Sequence, residues 1–318
     1  MTGTLRLLLS GLLAALLALP LTAGLADAAA PAGPRLAVVK ETWNPNRVAL
    51  LTVDANGRRP IRIAGGQPKG GPVQGFGRLS WSPDGAEVAF PGIASIFVAK
   101  ADGGGAHELN IANAERPVFA PDGHTLAFTR FAGREAAIWT IDLDSGAQRQ
   151  LTPSRRGLEY VSSSFSVDGS TLLATRIDHK GADEAELMAL DPGTGAATRL
   201  LKRGFAPVYS PDSSKIAFFR EGGKRSDSDL FVWNVARDST RRLTRTPHSD
   251  ELFASWDPSG ERLAFARFRG RHYEWANSIL QINADGSCET EILASRRTIF
   301  YAPAWQPGPG REAGRIDC

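Results

Sequence analysis

The amino-acid sequence predicts an all-β fold built from repeated four-stranded units. Three observations predict it: a hairpin motif that recurs along the chain, an apolar triplet after the copies, and a spacing of 38 to 49 residues between copies. The clearest copy is Trp-Ser-Pro-Asp-Gly at 81–85, followed by Val-Ala-Phe at 88–90. A period in this range is typical of four-stranded sheets repeated around a common axis.

Each copy of the motif begins with an aromatic residue, and the last copy is truncated. These aromatic residues are Trp81, Phe119, Phe165, Tyr209, Trp256 and Trp305. The turn that follows reads Ser or Asp, then Pro, then Asp, then Gly, which is the preference of a type I turn. Pro fixes φ, and the Asp carboxylate accepts hydrogen bonds from nearby backbone N–H groups. We therefore expect a tight turn between the first two strands of each unit.

The other strands of each unit have distinct patterns. The second strand is a continuous apolar triplet, as at 88–90 and 126–128, which is typical of a strand covered on both faces. The third strand is apolar and ends in a polar turn, as at 96–98. The fourth strand is polar and charged, as in Thr-Arg-Arg-Leu at 240–243, which suits an outer sheet edge.

Both chain ends contribute to the sixth unit. Leu-Ala-Val-Val at 36–39 is a second strand with no first strand before it, and Trp305 heads a first strand with no second strand after it. Pairing them predicts a six-bladed β-propeller of four-stranded antiparallel blades, closed by N- and C-terminal strands that share one blade. A pair of β-sandwiches with coincidental turns is the alternative.

The first 30 residues predict a secretory signal peptide. Arg6 precedes an apolar stretch at 7–21 and small residues at 26–30, the pattern of a cleaved leader. A membrane helix is the alternative, but Pro20 lies where such a helix would continue. We expect the mature protein to hold the propeller over 31–308 and a tail over 309–318, and to act in the periplasm or outside the cell.

The charge balance and the cysteine count exclude several classes of protein. The 37 basic and 34 acidic residues leave a net charge of +3, and no basic run exceeds three residues. This argues against a nucleic-acid partner. Two cysteines cannot build a multi-disulfide scaffold or a four-cysteine zinc site.

The repeat resembles that of the TolB-type, WD40-like β-propeller family. The resemblance rests on the W-S-P-D-G hairpin with its apolar triplet, the Asp-Gly turns and the Leu-Thr pairs at 151–152 and 243–244. It covers about residues 35–308 and implies a role as a partner in the cell envelope, as in a Tol–Pal system. The family's TolB carries an α/β domain before its propeller, and we expect that domain to be absent here.

The predicted topology places two kinds of loop around one end of the channel. These join second to third strands, and fourth strands to the next blade. We call this end the mouth face and the end with the Pro-Asp-Gly turns the turn face. Mouth-face loops of the later blades hold 18 basic and 12 acidic residues, which favours an anionic partner or ligand. A mixed solvated surface is the alternative. The candidate binding residues are Trp43, Glu115, Arg116, Glu159, Tyr160, His248, Asp250, Glu251, Arg271, Trp275 and Arg297.

Two tryptophans of the mouth face fall on adjacent blades. Trp43 and Trp275 lie in loops that join second to third strands, where they can form one aromatic platform. Exposed Trp near Arg is typical of interface anchors. The alternative is that both cover the blade ends as local core.

No motif for covalent or metal catalysis occurs in the chain. G-x-S-x-G, H-E-x-x-H and P-loop patterns are all absent from the sequence. His179, His248 and His272 offer an alternative metal site, although they come from loops rather than from rigid strand ends. We therefore expect no catalytic residue, no metal and no cofactor.

The predicted function is that of a non-enzymatic, monomeric interaction scaffold. Its partner is expected to be an anionic envelope or extracellular protein, with no nucleic acid and no transmembrane segment after signal removal. The alternative is a metal-dependent enzyme at the channel mouth, or a binding protein, for an anionic carbohydrate.

The two cysteines are predicted to form a disulfide. Cys288 follows an Asp-Gly turn, and Cys318 ends a tail that leaves the adjacent blade on the same turn face. About ten residues of tail can extend about 33 Å, enough to reach. An oxidising compartment favours the bond.

Overall fold

The computed structural model describes residues 33–43, 46–68, 77–92, 95–133, 135–179, 185–221, 227–269, 275–295, 297–308 and 314–318. Within these ranges the regular secondary structure consists of β-strands alone, so the all-β prediction is confirmed. None of the described residues forms a helix of the length and apolarity needed to cross a membrane. The predicted signal peptide at 1–30 lies outside the described residues.

The described residues form 24 strands. In chain order they are β1 (Arg35–Trp43), β2 (Asn46–Asp54), β3 (Ile61–Pro68), β4 (Ser80–Trp81), β5 (Glu87–Pro91), β6 (Ile96–Lys100), β7 (Ala106–Glu108), β8 (Ala114–Phe119), β9 (Thr125–Phe131), β10 (Ala136–Asp142), β11 (Gln148–Gln150), β12 (Leu158–Phe165), β13 (Leu172–Asp178), β14 (Ala185–Leu190), β15 (Ala197–Lys202), β16 (Phe205–Tyr209), β17 (Lys215–Glu221), β18 (Ser228–Asn234), β19 (Ser239–Arg242), β20 (Ser249–Trp256), β21 (Arg262–Arg269), β22 (Trp275–Asn283), β23 (Thr290–Ala294) and β24 (Thr298–Trp305).

These strands form four sheets of four antiparallel strands and one sheet of eight. The four-stranded orders are β24-β1-β2-β3, β4-β5-β6-β7, β16-β17-β18-β19 and β20-β21-β22-β23. The larger sheet consists of two antiparallel sets, β8–β11 and β12–β15, joined by one parallel pair between Ala136 and Glu159. The prediction of six separate four-stranded sheets is therefore wrong in this respect. The sequence repeat gives the number of four-stranded units along the chain. It does not show that backbone pairing at Ala136 and Glu159 joins two of these units into one sheet.

The last strand pairs with the first, as predicted. β24 lies antiparallel to β1, with Leu36 opposite Trp305 and Val39 opposite Tyr301. Gln306 N also donates a 2.8 Å hydrogen bond to Arg35 O. The two ends of the described β-structure therefore share one sheet.

The hairpin turns have the contacts that the sequence predicts. Gly85 N donates to Ser82 O at 2.8 Å, and the Ser82 hydroxyl donates to Asp84 Oδ1 at 2.6 Å. A later copy is similar: hydrogen bonds from the Ser166 hydroxyl and from Ser170 lower the pKa of Asp168 to about 2. These aspartates stabilise the turns as ionised carboxylates.

The apolar triplets form the interior of the sheets. Val88, Leu126 and Leu263 are fully buried, as expected for strands covered on both faces. The outer strands β7, β11 and β19 are exposed along their whole length and are rich in polar side chains. Each sheet therefore buries its middle strands and presents a charged or polar edge to solvent.

Side chains near the axis connect adjacent sheets. The indole Nε1 of Trp81 donates to Ala304 O at 2.9 Å, and that of Trp256 donates to Val208 O at 3.1 Å. The backbone N of Trp305 donates to the Ser255 hydroxyl at 2.9 Å. These bonds hold the first strands of neighbouring sheets side by side, so buried Trp and Ser fix the wall of the channel.

The predicted disulfide between Cys288 and Cys318 is confirmed, with 5.5 Å between the two Cα atoms. The tail is also held by hydrogen bonds. Ile316 N donates to Asn283 Oδ1 at 2.9 Å, and Asn283 Nδ2 donates to Ile316 O at 3.0 Å. Arg315 forms an ion pair of 2.6 Å with Asp285. The last residues are therefore fixed to the turn between β22 and β23.

Replacing both cysteines by serine should lower the free energy of unfolding by about 3 kcal/mol, because the unfolded chain gains the freedom of a 30-residue loop. Denaturant unfolding of the oxidised protein and of C288S/C318S measures the difference. A reducing agent serves as the control, since it should destabilise the wild type and leave the double variant unchanged. Equal unfolding midpoints for the two proteins would contradict the prediction.

Candidate functional site: the central channel

The first strands carry bulges close to the axis. Register shifts interrupt the pairing of β8, β12, β16 and β20 with their neighbours. The residue three positions before the aromatic head has positive φ at Arg116, Ala206, Phe253 and Ala302. A bulge re-aims the local backbone and is common at the rims of closed sheets. In this channel it turns backbone carbonyl groups towards the axis.

Arg78 uses these carbonyls as acceptors. Its Nη1 donates to Ser163 O at 2.8 Å and to Pro207 O at 3.5 Å, and its Nη2 donates to Ala254 O at 3.0 Å. The three acceptors belong to β12, β16 and β20, which lie in three different four-stranded sets. One guanidinium group therefore connects the inner strands of three sets across the channel.

The charge of Arg78 has no ion-pair partner among the described residues. Burial, together with repulsion from Arg116, lowers the pKa of Arg78 to about 10. The side chain is still protonated at neutral pH. Arg78 is partly buried, and a charge withdrawn from water without a counter-charge is costly, so the channel favours an anion.

The predicted site residues Glu115, Arg116 and Glu159 are brought together at the mouth end of the channel. Burial lowers the pKa of Arg116, and attraction to Glu115 and Glu159 opposes this shift. The Nε of Arg116 is buried and has no hydrogen-bond partner within the described part of the chain. Glu159 Oε1 lies 3.1 Å from His179 Nε2. Acidic and basic side chains therefore alternate here.

A cavity of about 360 Å³ lies in the channel and extends to the turn face. Arg78 is its floor, and its wall consists of first strands from each four-stranded set and of hairpin turns from four of them. The lining residues are Arg78, Leu79, Ser80, Trp81, Pro83, Pro117, Val118, Phe119, Pro121, Ser163, Ser164, Phe165, Ser166, Val167, Val208, Tyr209, Ser210, Pro211, Ala254, Ser255, Pro303, Ala304, Trp305 and Pro307. We call this cavity the axial funnel. Its volume is in the range of ligand-binding sites.

His248 and Asp250 form a second group at the mouth end, around the start of β18. His248 is exposed, and its backbone N donates to Asp227 Oδ2 at 2.9 Å. Asp250 Oδ1 accepts a hydrogen bond from Ser228 N at 3.0 Å. The Asp250 carboxylate thus helps to position β18 beside β20.

Glu251 is not on the surface, contrary to the prediction that placed it on the mouth face. It is fully buried, with Oε1 2.8 Å from Arg267 Nε and Oε2 3.1 Å from the Thr244 hydroxyl. Arg267 also forms a two-pronged ion pair with Glu289. Burial raises the pKa of Glu251 to about 7 despite the attraction of Arg267. Side chains of β20 alternate between its two faces, and this alternation turns the Glu251 carboxylate inward. The sequence prediction placed Glu251 in a loop and therefore could not show this.

The other predicted site residues divide into two groups. Tyr160 is largely buried, whereas Arg297 is exposed at the start of the last sheet strand. Arg271 and the side chains of Trp43 and Trp275 lie outside what the structure describes. The aromatic platform therefore stays a prediction.

Among the described residues, no group of three His, Cys, Asp or Glu side chains is arranged to hold a metal ion. His179 is instead beside Glu159, and His248 contacts Asp227. His272, the third histidine of the alternative metal site, lies outside the described residues.

Sequence reasoning missed Arg78, although a signal for it existed. When the repeats are aligned on their aromatic heads, Arg78 and Arg116 occupy the position three residues before the head. The corresponding residues in the other repeats are Ser162, Ala206, Phe253 and Ala302, none of which is charged. Two arginines at one repeat position predict two cations beside the same axis.

Replacing Arg78 by Ala should lower the free energy of unfolding by about 2 kcal/mol, because three carbonyl groups lose a charged donor. Removal of the partly buried charge offsets part of that loss. Denaturant unfolding measures this change. Arg149→Ala is the matched control: Arg149 also donates to carbonyls of the adjacent set, at Pro192 and Gly193, but is exposed. It should change stability by less than about 1 kcal/mol. Equal effects of the two substitutions would contradict the axial role.

Glu251 should make stability depend on pH. Its folded pKa of about 7 exceeds the unfolded value of about 4.3, so its contribution is complete below about pH 4 and falls as the pH rises towards 7. Unfolding free energies at pH 5 and pH 8 should therefore differ more in the wild type than in E251Q, by an amount on the order of 2 kcal/mol. Parallel pH profiles for the two proteins would contradict this prediction.

The sequence of this chain is similar to those of proteins named TolB or TolB homolog. No family model matches the chain. The Tol-Pal system protein TolB of Francisella tularensis subsp. mediasiatica is 21% identical over 245 residues, which are 72% of this chain and 53% of that protein. A protein TolB homolog of Chlorobium chlorochromatii is 29% identical over 143 residues, covering 42% of this chain and 31% of the relative. The chain spans about half the length of the Francisella relative.

Solved structures agree with the sequence matches. TolB from Acinetobacter baumannii superposes with a TM-score of 0.72 at 21% identity, over 86% of this chain and 67% of that one. A TolB assigned in Agrobacterium tumefaciens gives a TM-score of 0.64 at 17% identity, over 86% and 99% of the two chains. The predicted resemblance is confirmed at the level of the fold: the chain has the β-propeller fold of these TolB structures.

Proposed function

We propose that the chain is a non-enzymatic scaffold that binds a protein in the cell envelope or outside the cell. The observation that carries this proposal is the superposition of 86% of the chain on TolB from Acinetobacter baumannii. A curated relative is named as a protein of the Tol-Pal system, which supports an envelope role. The signal peptide at 1–30, a periplasmic or secreted location and a monomeric state belong to the same proposal.

The proposed architecture has six blades. It counts the eight-stranded sheet as two blades, β8–β11 and β12–β15, because one residue pair alone joins them. Each set has four strands in the same antiparallel order as the separate sheets. The 24 strands then divide into six equal blades around Arg78.

The mouth face is the proposed binding surface. Glu115, His248 and Arg297 are exposed there. Arg116, next to Glu115, has a buried Nε with no hydrogen-bond partner among the described residues. Arginine combines charge with a planar group that pairs with carboxylates, which suits an anionic partner. Trp43 and Trp275 complete the proposed surface at two neighbouring sheets.

Charge reversal on the mouth face should weaken partner binding and leave folding intact. Immobilised wild-type protein, incubated with envelope extract from the source organism, should retain a protein at 150 mM salt. It should release that protein at about 500 mM, because salt screens the exposed charges. R297E and W43A/W275A should retain at least tenfold less of that protein. R149E, which reverses an exposed charge on an outer strand, is the control.

The outcome that contradicts the proposal is equal retention by all four proteins, or retention of nothing by any of them. Thermal unfolding of each variant accompanies the binding measurement. Variants with the wild-type midpoint separate lost binding from lost folding, and R297E is expected to keep that midpoint because Arg297 is exposed.

The second candidate function is action on an anionic carbohydrate. Oligogalacturonate lyase from Vibrio parahaemolyticus superposes with a TM-score of 0.51 at 14% identity, and the paired arginines of the channel favour an acidic sugar. Incubation with polygalacturonate and manganese, followed by ultraviolet detection of unsaturated products, distinguishes the candidates. The scaffold proposal predicts no product, and steady product formation would replace it.

A further inference from the structure

The axial funnel has opposite charges at its two ends. Arg78 is the floor. Asp84, Asp122, Asp168 and Asp212 do not line the cavity themselves, but each directly follows a lining residue and is exposed in a turn, and we call these turns the rim. Three of the four directly follow prolines that line the funnel. Hydrogen bonds from turn serines and backbone N–H groups lower the pKa values of Asp84 and Asp168, so these carboxylates are ionised at neutral pH. The rim is therefore negative and the floor positive.

The wall between floor and rim is apolar and aromatic with a few hydroxyl groups. Trp81, Phe119, Phe165, Tyr209 and Trp305 contribute their aromatic heads. Prolines and serines fill the spaces between these rings. Such a wall with one charged group at its end is typical of a site that binds an apolar ligand by a polar end group.

Arg78 retains hydrogen-bonding capacity at the floor. A guanidinium group has five N–H donors. The three bonds to Ser163, Pro207 and Ala254 use both Nη1 hydrogens and one Nη2 hydrogen. None of these three bonds uses the Nε–H, and Nη2 has a second hydrogen; Nε and Nη2 together are the side of a guanidinium group that binds a carboxylate in two-pronged fashion. Fixed carbonyl contacts also hold the group in place before a ligand arrives.

We propose that the axial funnel binds the C-terminal carboxylate of an extended peptide that carries a lysine or arginine three residues before its end. The carboxylate pairs with Arg78 at the floor, apolar side chains contact the aromatic wall, and the cation meets the aspartates at the rim. This site lies on the turn face. It is separate from the partner surface proposed for the mouth face.

The depth of the funnel sets the position of the cation. Three residue steps separate the acceptors Ser163 and Pro207 from Ser166 and Ser210, where their turns begin, and a strand rises about 3.3 Å per residue. The guanidinium group therefore lies about 10 Å from the rim, the length of about three extended residue steps. A cation on the fourth residue from the end reaches Asp84 and its equivalents.

Calorimetric titration with defined peptides tests the proposal. The probe is acetyl-Lys-Ala-Val-Leu with a free carboxylate, and its matched control is the same peptide with a C-terminal amide. The free acid should bind the wild type at least tenfold more tightly than the amide. Acetyl-Glu-Ala-Val-Leu should bind more weakly than the lysine peptide, because its charge repels the rim.

Variants at Arg78 and Arg297 show which end of the channel binds the peptide. Arg78→Gln should abolish the preference for the free acid, while R297E on the mouth face should bind the peptide as the wild type does. If the Arg78 variant does not fold, the wild-type affinities for the free-acid and amide peptides test the proposal by themselves. Because R297E acts on the other face, failure of the peptide proposal and failure of the mouth-face proposal give different results.

Three outcomes would overturn the peptide site. They are equal affinity for the acid and the amide, no binding of either peptide, and binding of acetate or galacturonate as tight as that of the free-acid peptide. The last result would assign the funnel to small carboxylates. Weak binding of galacturonate with a strong preference for the lysine peptide would support the proposal.

Discussion

Pairing between the last strand and the first strand is the constraint on which the rest of the structure depends. β24 lies beside β1 with Leu36 opposite Trp305, so one sheet contains strands from both ends of the described β-structure. Closed sheets leave no free inner edge, and the inner strands must then face a common axis. The hydrogen bond from Trp81 to Ala304 O continues the ring from this sheet to the next. The channel and its contents follow from that closure.

Closure of the ring also explains why a single arginine can donate hydrogen bonds to three four-stranded sets. Arg78 reaches carbonyl oxygens that are 85, 129 and 176 residues away in the chain, and it does so because bulged inner strands converge on one point. The cost of this arrangement is a partly buried cation with no counter-charge among the described residues. The same feature makes the channel attractive to an anion, so the packing of the fold and its binding chemistry have one origin.

The sequence predicted the repeated turns, the closing strand pair and the disulfide, but not the contacts between side chains of different strands. Turns at 82–85 depend on Ser, Pro, Asp and Gly within five residues, and their hydrogen bonds are as expected. The disulfide from Cys288 was predictable because both cysteines fall on the turn face. In contrast, the burial of Glu251 depends on Arg267 and Thr244 in other strands, and the parallel pair at Ala136 leaves no mark in the repeat. Contacts of this kind require the register of every strand.

The closure itself is most directly tested by a disulfide across the seam. Thr42 of β1 lies opposite Thr298 of β24, and directly opposed residues of antiparallel strands have Cα atoms close enough for a disulfide. In a C288S/C318S background, T42C/T298C should form this bond on mild oxidation of the folded protein, detected by mass spectrometry of linked peptides. Folded protein that keeps two free thiols under these conditions would contradict the closed ring.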